Sequence, residues 1–270
     1  MSTADTYELA ELRKAAIAVL SGLSAGHAMA AWLSGSLVEG LGNPSSDVDI
    51  FVALPGLISE DLPLTRRGED HGILGLVEGG VRYDVEYWPH ADIMNLKRKL
   101  DQLPINDPQR NNLHFLTYWE SEFIHRLLVG SPLLNEEEFR RLQGLFDAAR
   151  FARYLMDTAI RRADDAFDDA VGMLRAGQMR MAALRARDAL GFSADALLHA
   201  HGVTNDKTKF RLAKLDRLAD THAAIRPVAD RLWRAEAFIP DTPPETRAYV
   251  EEALRFSSEM TERAQDRVRG

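Results

Sequence analysis

The spacing of apolar residues divides the chain into a mixed first part and a helical second part. Residues 6–23 carry an apolar residue at nearly every third or fourth position, which predicts an amphipathic helix. Ala28–Leu33 is an apolar run of strand length, and a second such run begins at Val48. Between them, Asn43-Pro44-Ser45-Ser46 is a turn signal. The chain is therefore predicted to open with a helix and two buried strands.

Two further strands are predicted before residue 90. They cover Gly72–Val77 and Val81–Trp88, and Glu78-Gly79-Gly80 between them is a hairpin-type turn. The second of these strands alternates apolar and polar residues, and successive side chains of a strand point to opposite faces. Asp84 and Glu86 are therefore expected on one face of this strand.

After residue 90 the apolar spacing becomes helical and stays so. Strand signals are scarce there, and alanine and arginine become abundant. The predicted helices cover 91–102, 111–129, 136–175 with a break near Gly144, 178–202, 206–236 and 244–268. We therefore predict an α+β protein, with a short mixed sheet and helices in a domain of residues 1–105 and an all-α bundle in residues 106–270.

Composition narrows the classes of function. The 270 residues include no cysteine, which excludes disulfides and thiolate metal sites. No apolar run is long enough to span a membrane, and the N-terminus lacks the pattern of a secretory signal, so a cytoplasmic protein is expected. A net charge of −8 argues against duplex nucleic acid as the partner and suits a small or cationic substrate. The oligomeric state stays open.

The strand that begins at Val48 carries an unusual acidic pair. Asp47 and Asp49 are two residues apart, which puts their carboxylates about 6–7 Å apart on one face, close enough to share divalent cations. Aspartate is depleted in strands, and neighbouring like charges repel unless a cation lies between them. The acids alone leave two interpretations open, a metal site or a solvated edge strand.

The turn before this strand favours the metal site. Gly35-Ser36 ends the first strand, and residues 36–41 are predicted to form a short helix. Such a turn offers an unobstructed backbone, a hydroxyl and helix-start amides to a phosphate. A phosphate pocket beside two carboxylates suits Mg²⁺-dependent chemistry on a nucleoside triphosphate, with one or two ions. Asp84 or Glu86 on the neighbouring strand would supply a third carboxylate.

These residues resemble the signature of a known superfamily. Gly35-Ser36, Gly40, the run Ser46-Asp47-x-Asp49 and a later strand acid are similar to the pattern of the nucleotidyltransferases that include DNA polymerase β. Within that superfamily the chain looks most like the aminoglycoside nucleotidyltransferases. In these enzymes an N-terminal catalytic domain precedes a C-terminal helical domain that completes the substrate cleft. The resemblance covers residues 25–90 by motif and the rest only by architecture.

The resemblance implies roles for individual residues. It implies that three aspartates hold magnesium, with two ions expected, and that a glycine, two serines and two lysines of the helical domain bind ATP. The implied metal ligands are Asp47, Asp49 and Asp84. The implied nucleotide ligands are Gly35, Ser36, Ser46, Lys207 and Lys209.

The third acid has a close neighbour on its own strand. Asp84 matches the family position, because that pattern puts an apolar residue on each side of the acid. Glu86 is an extra acid on the same face. Either Glu86 is the general base while Asp84 holds metal, or Glu86 pairs with Arg82. The catalytic set expected from the resemblance is Asp47, Asp49, Asp84 and Glu86.

The resemblance implies transfer of a nucleoside monophosphate, usually AMP from ATP, to a hydroxyl group with release of pyrophosphate. The expected acceptor is a small molecule, and an aminoglycoside antibiotic is one candidate. A second hypothesis is an antitoxin-like protein that AMPylates or binds a helical toxin. A third is a non-catalytic nucleotide binder, against which the three aspartates Asp47, Asp49 and Asp84 speak.

Overall fold

The structure is a computed structural model that describes residues 9–23, 28–68, 71–105, 115–205, 207–238, 240 and 242–269. The described residues form two compact units. The first unit consists of residues up to 103 together with 115–147, and the second of residues 104–105 together with the described residues from 148 onward. None of the described helices is long and apolar enough to cross a membrane.

The first unit is built on a mixed sheet of six strands in the order β3-β4-β5-β2-β1-β6. β2 and β5 run parallel, and the other neighbouring strands are antiparallel. In chain order, its elements are α1 (Leu9–Gly22), β1 (Ala30–Ser34), α2 (Gly35–Val38), β2 (Val48–Leu54), β3 (Arg66–Arg67), β4 (Gly72–Glu78), β5 (Val81–Pro89), α3 (His90–Gln102), α4 (Tyr118–Leu128), β6 (Ser131–Leu134) and α5 (Glu136–Gly144).

The two faces of the sheet bury different kinds of side chain. One face packs mostly aliphatic residues, such as Ile50 and Val85, with Leu20 of α1. The other face is aromatic: Trp88 of β5 lies 4.2 Å, ring centre to ring centre, from Phe123 of α4. This alternation along β2 and β5 follows from the period of two in a strand. It leaves the polar residues of the aromatic face under α4.

The second unit is helical. Its elements are α6 (Ala148–Arg175), α7 (Met179–Ala200), a 3₁₀ turn (Thr208–Phe210), α8 (Arg211–Thr221), a second 3₁₀ turn (Ala223–Ile225), α9 (Arg226–Ala237) and α10 (Pro243–Arg269). Fully buried alanines line the contact of α6 with α7, and their small side chains let two helices approach closely. Arg211 ties α8 to its neighbours, with Nη2 2.8 Å from Asp195 Oδ2 and Nη1 3.2 Å from Glu236 Oε1.

The α+β prediction, with a mixed sheet followed by a mostly helical part, is confirmed. The break predicted near Gly144 is also present, between α5 and α6. The single helix predicted over 206–236 is wrong, because the described part of this range holds two 3₁₀ turns and two helices. Pro227 lies in the first turn of α9, where its missing N–H costs no helical hydrogen bond. It therefore marks the start of a separate helix.

The predicted domain boundary between residues 105 and 106 is corrected. Residues 115–147 belong to the first unit, because β6 pairs with β1, Ala31 opposite Leu134 and Leu33 opposite Ser131. We did not predict β6, since Gly130-Ser131-Pro132 is a turn signal. Helix α4 covers the aromatic face of the sheet as part of the same unit.

This correction predicts how fragments of the chain behave. A fragment of residues 1–147 should unfold cooperatively in urea, whereas one of residues 1–105 should not. The shorter fragment lacks β6 and α4, and so exposes the rings of Trp32, Phe51 and Trp88. Fluorescence-detected unfolding measures both. A cooperative transition in the 1–105 fragment would contradict the corrected boundary.

Candidate active site

The parallel pairing of β2 with β5 brings the predicted acids together. Asp49 lies opposite Asp84 in the register of the two strands. Asp47 immediately precedes β2, and its carboxylate is close enough to act on the charges of both Asp49 and Asp84. Asp84, which is remote in sequence from Asp47 and Asp49, thus meets them where β2 and β5 lie side by side in the sheet.

Gly35 allows the start of α2 to lie against this cluster. Its φ of +84° is unfavourable for other residues, and a Cβ built on it would lie 1.9 Å from Asp49 Oδ2. Ser34, the residue before it, is opposite Asp49 in the β1–β2 register. Ser36 is buried in the first turn of α2. A glycine at position 35 is therefore required for this close approach of backbone to carboxylate.

Two residues that sequence reasoning missed complete the cluster, and both come from α4. Arg126 Nη1 lies 3.4 Å from Asp49 Oδ2, and its Nη2 lies 3.3 Å from Glu122 Oε1. The Arg126 side chain is 7% exposed. A Glu-x-x-x-Arg pair on the apolar face of the predicted 111–129 helix is the only signal that the sequence offered for it.

Burial and mutual repulsion disfavour charge on Asp49. Burial is the main cause that raises the pKa of Asp49 to about 7, and the nearby carboxylates of Asp47, Asp84 and Glu122 raise it too. The guanidinium of Arg126 opposes this rise. Burial likewise raises the pKa of Asp84. The cluster therefore favours any positive charge that can reach it.

Glu86 lies deeper than Asp84 and has a different partner. Burial raises the pKa of Glu86 to about 8, although the Trp88 indole N–H, which donates to Glu86 Oε1 at 2.6 Å, partly offsets the rise. The alternative pairing of Glu86 with Arg82 is not what the structure has, since Arg82 Nη2 donates to Asp84 Oδ2 at 3.0 Å. A carboxyl group with a pKa near neutrality suits proton transfer.

The donor chemistry of the cluster fits magnesium. Asp47, Asp49 and Asp84 supply the carboxylate oxygens that Mg²⁺ prefers. Among the residues that the structure describes, no three His, Asp or Glu side chains converge in the arrangement of a finished metal site. Two of the carboxylates face guanidinium groups instead, Asp49 that of Arg126 and Asp84 that of Arg82.

The other predicted nucleotide ligands are Ser46 in the first unit and Lys207 and Lys209 in the second. Ser46 Oγ accepts a hydrogen bond from the Asn43 backbone N–H at 2.9 Å, so it shapes the loop before β2. Lys207 directly precedes the first 3₁₀ turn of the second unit. Lys209 lies within that turn, with Nζ 4.8 Å from the ring centre of Phe210. The assignment of both lysines to the triphosphate stays a prediction.

Comparisons with known proteins agree with this geometry. The family model of the nucleotidyltransferase domain matches residues 26–124, which include β1, β2, β5 and residues 118–124 of α4. A solved structure of a nucleotidyltransferase-like protein from Exiguobacterium sibiricum is similar in fold. It has a TM-score of 0.51 and 10% identity, over 93% of this chain and 74% of that chain. No curated protein has a matching sequence.

The close approach at Gly35 predicts a large effect of one methyl group. Gly35→Ala should destabilise the protein by about 2–4 kcal/mol, since the Cβ collides with Asp49 and the positive φ is strained. Gly79→Ala is the matched control, because Gly79 also has positive φ but no atom within 4 Å of its added Cβ. That control should cost about 1 kcal/mol. Urea unfolding measures both, and equal losses would contradict the packing described here.

The raised pKa of Asp49 predicts a pH-dependent cost to folding. Its pKa is higher in the folded state than the ordinary 3.8, so the folded state binds the extra proton and stability falls as pH rises from about 4 to about 7. In metal-free buffer at pH 8, Asp49→Asn should therefore stabilise the protein by about 1–3 kcal/mol. Chemical unfolding at pH 4 and pH 8 measures this difference.

Exposed Asp61 provides the control for that experiment. Asp61→Asn should change stability by less than about 0.5 kcal/mol at either pH. A lower stability of Asp49→Asn than of the wild type at pH 8 would mean that the Arg126 contact outweighs burial and repulsion.

Proposed function

We propose, from the nucleotidyltransferase domain that residues 26–124 match, that this protein transfers a nucleoside monophosphate, AMP from ATP, to a hydroxyl group. The observation that carries the proposal is the meeting of Asp47, Asp49 and Asp84 where the parallel strands β2 and β5 lie side by side, with Asp49 against the backbone of Gly35. A triphosphate beside these carboxylates requires a cation between them. Asp47, Asp49 and Asp84 would hold Mg²⁺. When bound, this ion would neutralise part of the charge of the phosphates.

The chemistry is an in-line displacement at phosphorus. The oxygen of the acceptor hydroxyl forms a bond to the α-phosphorus, and the bond from that phosphorus to the bridging oxygen of pyrophosphate breaks. The hydroxyl proton passes to a carboxylate, and pyrophosphate leaves. Positioning of the two substrates and compensation of charge supply most of the rate enhancement in such reactions.

Glu86 is the proposed acceptor of that proton. Asp84 accepts a hydrogen bond from Arg82 and lies close to Asp47. Its place beside a second carboxylate suits a metal ligand. Glu86 is one pleat further along the same face, and the Trp88 indole fixes one of its oxygens. A pKa of about 8 lets Glu86 hold the proton after transfer and release it to solvent at slightly alkaline pH.

The surplus of acid at the site supports a cationic acceptor. Asp47, Asp49, Asp84, Glu86 and Glu122 share the region, and in the described part of the chain the guanidinium groups that act on Asp49, Asp84 and Glu86 are those of Arg82 and Arg126. The negative electrostatic potential of these carboxylates attracts ammonium groups. An amino sugar with a free hydroxyl, of which aminoglycosides are examples, is therefore the proposed acceptor class.

The assay is transfer of label from [α-³²P]ATP with Mg²⁺ to aminoglycosides, tRNA or proteins. Glu86→Gln should lower the rate by about 10²–10⁴-fold, since it removes the proton acceptor but no proposed metal ligand. Asp49→Asn should abolish Mg²⁺-dependent transfer. Glu78→Gln, an exposed substitution at the β4–β5 turn, is the control and should leave the rate unchanged.

The same assay separates the competing functions. Label on an amino sugar supports the proposal, and label on a protein supports the antitoxin-like alternative. No label on any acceptor, together with nucleotide binding that Asp49→Asn leaves unaltered, would contradict an enzymatic role.

A further inference from the structure

Arg126 is a cation built into the acid cluster. We propose that Arg126 serves as the resident counter-ion of Asp49 and that a divalent cation must compete with it, so that the free protein binds such cations weakly. The proposal rests on the proposed function, in which Asp49 is a cation ligand. It concerns a residue just beyond the region that the family model matches, residues 26–124.

The position of Arg126 carries the first part of the argument. Its guanidinium bridges two carboxylates, with Asp49 at 3.4 Å and Glu122 at 3.3 Å. Pairs of Glu and Arg four residues apart are common on exposed helix faces and are worth little there. This pair is buried, and its arginine points to a residue 77 positions earlier in the chain. A surface helix pair has no such third partner.

The backbone of Gly35 holds the Asp49–Arg126 contact from the side. A Cβ at Gly35 would lie 1.9 Å from Asp49 Oδ2 and 2.6 Å from Arg126 Nη1. The carboxylate oxygen and the guanidinium nitrogen therefore both contact the start of α2. Asp49 Oδ2 is held toward Arg126 in this packing, and a divalent cation that uses it must draw it away or share it.

Burial distinguishes Arg126 from the second guanidinium group of the cluster. Arg82 pairs with Asp84, but its side chain is 65% exposed, so water screens its charge. The Arg126 side chain is 7% exposed, where a unit charge acts more strongly on its neighbours. The repulsion that an entering divalent cation meets should therefore come mainly from Arg126 and not from Arg82. A phosphate group that enters with the cation would offset this repulsion.

The test measures binding of Mn²⁺ alone to the full chain, by the loss of the EPR signal of free Mn²⁺, without any assay of activity. Arg126→Met keeps a long side chain and removes the charge, and should bind Mn²⁺ on the order of tenfold more tightly than the wild type. Arg126→Lys keeps the charge and should stay near the wild-type affinity. Arg82→Gln is the matched control and should raise the affinity by less than about twofold, because Arg82 is exposed.

Folding is checked by thermal unfolding of each variant. If Arg126→Met loses its cooperative transition, Arg126→Gln makes the same comparison, since its amide can still donate to Asp49. Mn²⁺ affinity that is unchanged or lower in the charge-removing variant would overturn the proposal.

Asp49→Asn separates this inference from the proposed function. If Asp49→Asn weakens Mn²⁺ binding but Arg126→Met does not strengthen it, the acid cluster is the cation site and the counter-ion role of Arg126 is wrong. If Asp49→Asn leaves Mn²⁺ binding unaltered, or if no variant binds Mn²⁺, both the cation site and the counter-ion are contradicted.

Discussion

Repulsion among partly buried carboxylates is the physical constraint that shapes the first unit. Asp47, Asp49 and Asp84 meet where β2 and β5 run side by side, and burial raises the pKa values of Asp49 and Asp84. Like charges in such a place destabilise the fold unless a cation compensates them. This arrangement lowers the stability of the fold around β2 and β5, as is common at functional sites.

Some features of the fold create this repulsion and others relieve it. The parallel register of β2 and β5 sets Asp84 opposite Asp49, and the glycine at the start of α2 leaves room for the carboxylate. Helix α4 covers the aromatic face of the sheet through Phe123 and, from the same side, supplies the guanidinium of Arg126. Packing and charge compensation thus come from one helix. Together with the pairing of β6 with β1, this packing makes residues 115–147 part of the first unit.

The sequence predicted the acids but not their counter-ion. The period of two in β2 and β5 was enough to place Asp49, Asp84 and Glu86, since each acid interrupts an apolar run. The role of Arg126 could not be predicted, because its contact with Asp49 spans 77 positions of the chain. Local periodicity carries no information about such pairings. β6 was missed for a similar reason: its four residues include a proline in a turn signal, and only pairing with β1 makes them a strand.

The claim that unites these observations is that the cluster of Asp47, Asp49 and Asp84 binds a divalent cation together with a nucleoside triphosphate. The most direct measurement is the anomalous X-ray signal of Mn²⁺ in crystals of the full chain grown with Mn²⁺ and a non-hydrolysable ATP analogue. The account predicts a peak bounded by carboxylate oxygens of these three aspartates, beside phosphate density near Gly35. A nucleotide bound elsewhere, or a cluster that holds no Mn²⁺ in the presence of bound nucleotide, would contradict it.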